Sequence, residues 1–175
     1  MIPLHAFDHG PSPGVRLAVA AVAGLLATLV MTLPMWAQRY GYVPPYVAAS
    51  ALRRRPPNQV SRPAADAVHL AAGVLAGVVY EAVNVAYENG SESLGLGDVH
   101  FGSVTSLSEV AFLAALVAFL YGFFAWLVFP RHGGNAYEAH PAAVRRQWAA
   151  SAAVYGVALL AALTVIYRFG LAEVR

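Results

Sequence analysis

The stretch from 69 to 88, HLAAGVLAGVVYEAVNVAYE, carries a histidine, two glutamates and an asparagine in a run otherwise apolar enough to cross a membrane. At 100° per residue on an α-helix, His69, Gly73, Gly77, Tyr80, Asn84 and Tyr87 fall within an arc of roughly 80°. Glu81 and Glu88 widen that arc to roughly 120°. The polar side chains therefore share a face with a G-x-x-x-G spacing, which lets two helices approach closely. Leu70, Val74, Val78 and Val85 lie mainly elsewhere. His69 and Glu88 sit near opposite ends of the run, within reach of interfacial water. Glu81 sits roughly 9–10 Å inside the nearer end at 1.5 Å per residue. A charged side chain at mid-membrane costs about 2.5–3.5 kcal/mol on insertion scales, so Glu81 requires a partner, a proton or water. Arg16 and Arg168 belong to the same side and are the candidate partners. Tyr80, Glu81 and Asn84 are thus the candidate polar intramembrane site. They serve either as a hydrogen-bonded or ion-paired contact or as groups that handle a proton, an ion or a ligand.

Other chemistry has less to stand on. Six histidines raise metal or haem ligation, since imidazole is the commonest protein metal ligand. Only His69 lies inside a spanning run, so a bis-histidine haem within the membrane lacks its second ligand. No cofactor is expected; were a metal or haem held, His69 and His132 would be the pair. No H-E-x-x-H, G-x-S-x-G or phosphate-cradling glycine loop occurs, and Gly95-Leu-Gly97-Asp98 reads as turns. No catalytic residue is assigned. Arg53, Arg54 and Arg55 form the strongest charge run. Beside an anionic leaflet each contributes about 1 kcal/mol of attraction, which suits lipid headgroups or an acidic partner surface.

The elements that position these residues follow from composition. The chain has 175 residues, 59% apolar and 11% charged, with a mean hydropathy of +0.57. Soluble domains carry about 25% charge, so an integral membrane protein is expected. A net charge of +2 gives no basis for a nucleic-acid partner. Cysteines are absent, which removes disulfides and thiolate sites. All eleven basic residues are arginine, a bias that points to a GC-rich, prokaryotic genome and hence a plasma or inner membrane.

Four runs, Leu17–Ala37, Ala67–Tyr87, Val110–Phe129 and Trp148–Tyr167, each approach the roughly 20 residues that span a bilayer. The first exceeds the 7–15 residues of a signal-peptide core and follows Asp8, so it is expected to remain as a membrane helix. The predicted fold is an all-α, four-helix transmembrane bundle forming one domain, with helices over about 15–37, 66–88, 107–130 and 141–168. Arg39, Arg53, Arg54, Arg55, Arg62, Arg131, Arg145 and Arg146 fall on one side of it. The positive-inside rule makes that side cytoplasmic and puts both termini outside.

Ser106-Leu-Ser-Glu109 fits a capping box, Pro141 suits a first helical turn, and Pro34 should kink or end the first helix. Tyr46–Arg55, between two Pro-Pro pairs, reads as a short interfacial helix. Small-residue stripes predict a tight bundle. They comprise Ala20, Gly24, Thr28 and Thr32 in the first helix, then Ala111, Ala115, Ala118, Gly122 and Ala125 in the third, and Ala149, Ala153 and Gly156 in the fourth. Gly24, Thr28, Gly73, Gly77, Gly122 and Gly156 are the expected packing positions.

Gly24-Leu-Leu-Ala-Thr28-Leu-Val-Met-Thr32 and His69-Leu-Ala-Ala-Gly73-Val-Leu-Ala-Gly77-Val-Val-Tyr80, with Tyr121–Pro130 behind them, resemble a loose group of small four-helix prokaryotic membrane proteins of unknown function. The resemblance implies the four-helix architecture and transfers no activity. With no catalytic constellation, the leading expectation is a non-catalytic subunit of a larger membrane complex, such as a respiratory or photosynthetic assembly. Its partners would be other integral membrane subunits and anionic lipids. A small oligomeric channel or transporter using the polar face of the second helix comes next, and a haem- or metal-binding redox protein third.

Overall fold

The computed structural model describes residues 11–94, 100–101 and 105–170. Its elements are α1 (Pro13–Ala37), α2 (Val43–Arg53), α3 (Arg62–Leu94), α4 (Leu107–Gly122), α5 (Phe129–His132), α6 (Gly134–Glu138) and α7 (Pro141–Val165), in chain order. A π-helical stretch, Phe123–Val128, joins α4 to α5 without a break, and another, Ile166–Gly170, extends α7. His100–Phe101 pairs antiparallel with Thr105–Ser106. His5, His9, Asp8, Gly95–Asp98 and Arg175, which entered the sequence reading, lie outside the described residues.

Four of these helices are long and apolar enough to cross a membrane: Pro13–Ala37, Arg62–Ser91, Leu107–His132 and Pro141–Arg168. All four expected spans are present, and the second begins about one turn earlier than its apolar run because Arg62-Pro63 opens the helix. The capping box forms at the start of α4: Ser106 Oγ accepts from Glu109 N, and Glu109 Oε2 accepts from Ser106 N. Pro141 occupies the first turn of α7. Pro34 lies one turn from the end of α1, where Gln38 N donates to its carbonyl at 3.1 Å. The short helix α2 starts three residues earlier than expected. Pro44 and Pro45 sit in its first turn, where the missing N–H groups would be unpaired anyway. It ends at Arg54, a non-glycine residue in the left-handed region at φ 52°. The π-helical stretch before Pro130 was not foreseen. Pro130 has no N–H to offer Trp126, and the ladder shifts so that Phe129 N donates to Phe124 O, five residues back.

α1 is the centre of the bundle, packed chiefly against α3 and α7. Its predicted stripe is correct: Ala20, Gly24, Thr28 and Thr32 are all buried. On α3, Gly73 and Gly77 bring the two backbones together. A Cβ on Gly77 would sit 2.5 Å from Ala20 O, one on Gly24 would sit 2.6 Å from Gly73 O, and one on Gly73 would overlap Thr28 Oγ1. The stripes on the third and fourth spans do not follow the expectation. Ala125 is buried as expected, but Ala111, Ala115 and Ala118 are exposed, and α4 packs inward through Phe112, Leu113, Leu116 and Leu120. Gly122 meets the Trp126 ring of its own helix and no neighbouring one. On α7, Gly156 is buried against Val117 of α4, but Ala153 is exposed; the buried face is Val144, Trp148, Ser151, Ala152, Tyr155, Leu159 and Leu163. The reason is physical. Lipid is as apolar as leucine, so no hydrophobic drive turns one apolar face inward, and a small-residue stripe marks a helix contact without saying which helix makes it.

Candidate functional site

The polar face of α3 is buried as its spacing requires: His69, Gly73, Gly77, Tyr80, Glu81 and Asn84 all turn inward, and Tyr87 at its end is exposed. Glu81 and Glu88, two turns apart, stand one above the other and share one cation. Arg16 Nε donates to Glu81 Oε1 at 2.6 Å, Nη2 donates to Glu88 Oε1 at 2.8 Å, and Nη1 bonds Glu88 Oε2. The Glu81 side chain is 5% exposed, against 22% for Arg16 and 47% for Glu88, so the deepest charge is the best shielded. Arg16 is therefore the partner Glu81 needs. The two-pronged contact to Glu88 holds the guanidinium plane so that Nε points inward. Arg168, the other candidate, forms no ion pair among the described residues.

Beside this cluster lies a cavity of about 300 Å³, lined by Arg16, Tyr80, Glu81, Glu109, Thr164, Tyr167 and Arg168, with Leu160 and Leu163 as its apolar wall. Four helices build it: α1 gives Arg16, α3 gives Tyr80 and Glu81, α4 gives Glu109, and α7 with its π-helical extension gives the rest. Tyr80 Oη donates to Glu109 O at 3.2 Å, and Thr164 Oγ1 donates to Leu160 O at 2.8 Å. The third predicted polar residue, Asn84, is not in the cavity. Its amide donates to Tyr80 O of its own helix at 2.9 Å. Sequence reasoning missed Glu109, Thr164 and Tyr167. Glu109 was read only as a cap, and no spacing within one helix signals the convergence of four.

At the opposite end, His69 is buried, and its Nε2 lies 3.0 Å from Thr32 Oγ1. Thr32 Oγ1 donates to Thr28 O at 2.7 Å, so its proton is spent and His69 Nε2 is the donor in the contact between them. His69 borders a narrow apolar crevice of about 50 Å³ together with Met31, Trp148 and Tyr155. His132 is exposed at the end of α5. No group of three or more metal-ligating side chains occurs among the described residues.

Near His69, Tyr42 Oη donates to Asp66 Oδ1, Arg62 Nε donates to the same oxygen at 2.9 Å, and the Arg62 guanidinium lies 4.1 Å above the Tyr42 ring. Burial and then the Asp66 carboxylate push the Tyr42 hydroxyl up to about 12. The Arg62–Asp66 spacing was legible as an i,i+4 pair; the reach of Tyr42 across from the preceding turn was not. Arg53 at the end of α2 and Arg54 and Arg55 just beyond it are exposed, with Ser50 Oγ donating to Arg55 O at 2.5 Å to close the turn.

No protein-family model, curated protein or solved structure matches this chain.

Proposed function

We propose that the protein is a non-catalytic integral membrane subunit that acts by associating with other membrane proteins through its third span. We place it in a prokaryotic plasma membrane with Arg53–Arg55 against the anionic cytoplasmic leaflet and both termini outside. The supporting observation is the contrast between two outward faces. α1 presents Leu25, Leu26, Leu29, Val30 and Leu33 outward, large side chains that lipid solvates well. The third span presents Ala111, Ala114, Ala115 and Ala118 as a small-residue strip flanked by the exposed Leu107, Val110, Phe119 and Trp126, and 17% of its most apolar stretch is buried, against 33–39% in the other three spans. Small residues line helix–helix contacts because they let backbones approach. A face of four alanines turned away from its own bundle suits a helix of another subunit.

The transport reading has less support. A polar path along α3 would have to pass the level of Gly24, Gly73 and Gly77, where α1 and α3 meet backbone to backbone. Ligation at His69 would use Nδ1, with Nε2 committed to Thr32. A photo-crosslinking residue placed at 115 or 118 in native membranes tests the proposal against one at 29. Protein adducts at 115 and 118 with lipid adducts at 29 are expected. Lipid adducts at all three positions would refute the third span as the contact face.

A further inference from the structure

The arginine-rich end of the bundle holds two recesses of about 340 Å³ each, which share Pro57, Asn58 and Ala136 and so form one trench between α2 and α6. Arg39 lines one end of it. Its guanidinium lies 5.4 Å from the Tyr40 ring and makes no hydrogen bond or ion pair among the described residues. The other end is lined by Gln59, Asn135 and two glycines that shape the wall. Gly134 takes the left-handed backbone at φ 52°, and a Cβ on Gly133 would sit 2.6 Å from Phe129 O. Asn58, Gln59 and Asn135 are exposed, and their amides make no hydrogen bond among the described residues, so each keeps its donors and its acceptor. The surrounding charge is positive. Eight arginines, Arg39, Arg53, Arg54, Arg55, Arg62, Arg131, Arg145 and Arg146, stand at this end against two carboxylates, Asp66 and Glu138. Asp66 is already bound by Arg62 and by the Tyr42 hydroxyl, and Glu138, exposed on α6, does not line the trench.

We infer that this trench binds a phosphate ester with a hydroxylated head, its phosphate on Arg39 and its hydroxyls on the amides of Asn58, Gln59 and Asn135. A guanidinium presents a fork of N–H donors that matches phosphate oxygens. A hydroxyl both donates and accepts, as a side-chain amide does, so the amide end fits hydroxyls and not a second charge. Position in the chain sets the depth. Arg39 follows the end of α1 at Ala37, and Asn58 precedes the start of α3 at Arg62, so both stand where two spans leave the hydrocarbon. Two sources carry this chemistry there: the headgroup of phosphatidylglycerol, and a free glycerol or sugar phosphate in the adjoining solution. The inference rests on the placement of the chain across a membrane and not on the contact through the third span, so lipid adducts at 115 and 118 would leave it standing.

The full chain in nanodiscs containing equal phosphatidylglycerol, phosphatidylethanol and phosphatidylcholine, read by native mass spectrometry of the retained lipid, tests the lipid source. Phosphatidylethanol is the decisive comparison, because it keeps the phosphodiester charge and loses both headgroup hydroxyls. Phosphatidylglycerol should be retained over it by about fivefold, the effect of one net hydrogen bond. Asn58→Ala combined with Asn135→Ala should remove that preference, and Arg39→Gln should weaken retention of both anionic lipids. All three residues are exposed, so the variants keep the fold. A parallel titration of delipidated protein in detergent with sn-glycerol 3-phosphate covers the free source. Saturable binding there, lost in the same variants and without lipid selectivity, would assign the trench to a soluble ester. Equal retention of phosphatidylglycerol and phosphatidylethanol, with no glycerol phosphate binding, would overturn the inference and leave the trench to an acidic protein surface. So would a preference that survives the trench variants and disappears when Arg53, Arg54 and Arg55 are changed to Gln.

Discussion

Arg16 alone compensates two carboxylates, Glu81 and Glu88. Truncating one partner of a buried pair leaves the other charge without compensation, at about 3–5 kcal/mol. Arg16 is partly exposed, so Arg16→Ala should destabilise the bundle by about 3 kcal/mol, the lower end of that range. Chemical denaturation in detergent, followed by circular dichroism, measures it, and Glu88→Gln should cost less because Glu88 is half-exposed. Tyr42 gives a second, pH-dependent expectation. Its folded hydroxyl titrates at about 12 against an ordinary value of 10.0. Below the ordinary value both states hold the proton and the contribution is complete. As pH rises from there to the folded value the unfolded hydroxyl ionises first, so stability declines through that window. Wild-type protein should therefore lose stability faster than Tyr42→Phe between those two values in a pH-resolved melting series. Equal slopes would show that the Asp66 contact contributes nothing. The need of Glu81 for a partner was legible, because a carboxylate so far from water cannot stand unpaired, and Arg16 was one of two arginines at the right depth. Its simultaneous grip on Glu88 was not, since no sequence spacing links α1 to α3. Tyr42, Tyr167 and Thr164 were equally hidden, because their roles arise where separate helices converge.

At the element scale, the contact between α1 and α3 depends on glycines at a backbone crossing. Gly77→Val should destabilise by at least about 1–3 kcal/mol, the cost of overpacking, because the added carbons meet the Ala20 carbonyl, which cannot rotate away. Gly14→Ala, where nothing lies within 4 Å, is the control and should leave the melting temperature unchanged. The four spans, the Ser106–Glu109 cap and the inward face of α3 could all be read from the chain, since run length, capping residues and clustered polar side chains each have a direct physical cause. The inward faces of α4 and α7 could not. Alanine is distributed around both helices, and in lipid neither the small nor the large apolar residue is driven inward. Packing of Leu113, Leu116 and Phe124 against the buried core decided the orientation, and that depends on the shape of the neighbouring helices.

At the scale of the whole molecule, the bundle is held by α1, while the third span contributes least to its interior. A subunit of this form keeps its own fold when its outward alanines are enlarged. Ala118→Phe should therefore leave the melting temperature within about 0.5 kcal/mol of wild type, as for a surface substitution, yet reduce recovery of associated membrane proteins severalfold in affinity purification. Loss of the fold would instead place Ala118 in the interior. The central claim, that this protein works inside a larger membrane assembly, is tested most directly by its native mass. Membranes extracted in a mild detergent and run on a native gel, with mass spectrometry of the band, should show the chain migrating with other integral membrane subunits. Migration of the whole population as an 18.5 kDa chain in its own detergent micelle would contradict that claim.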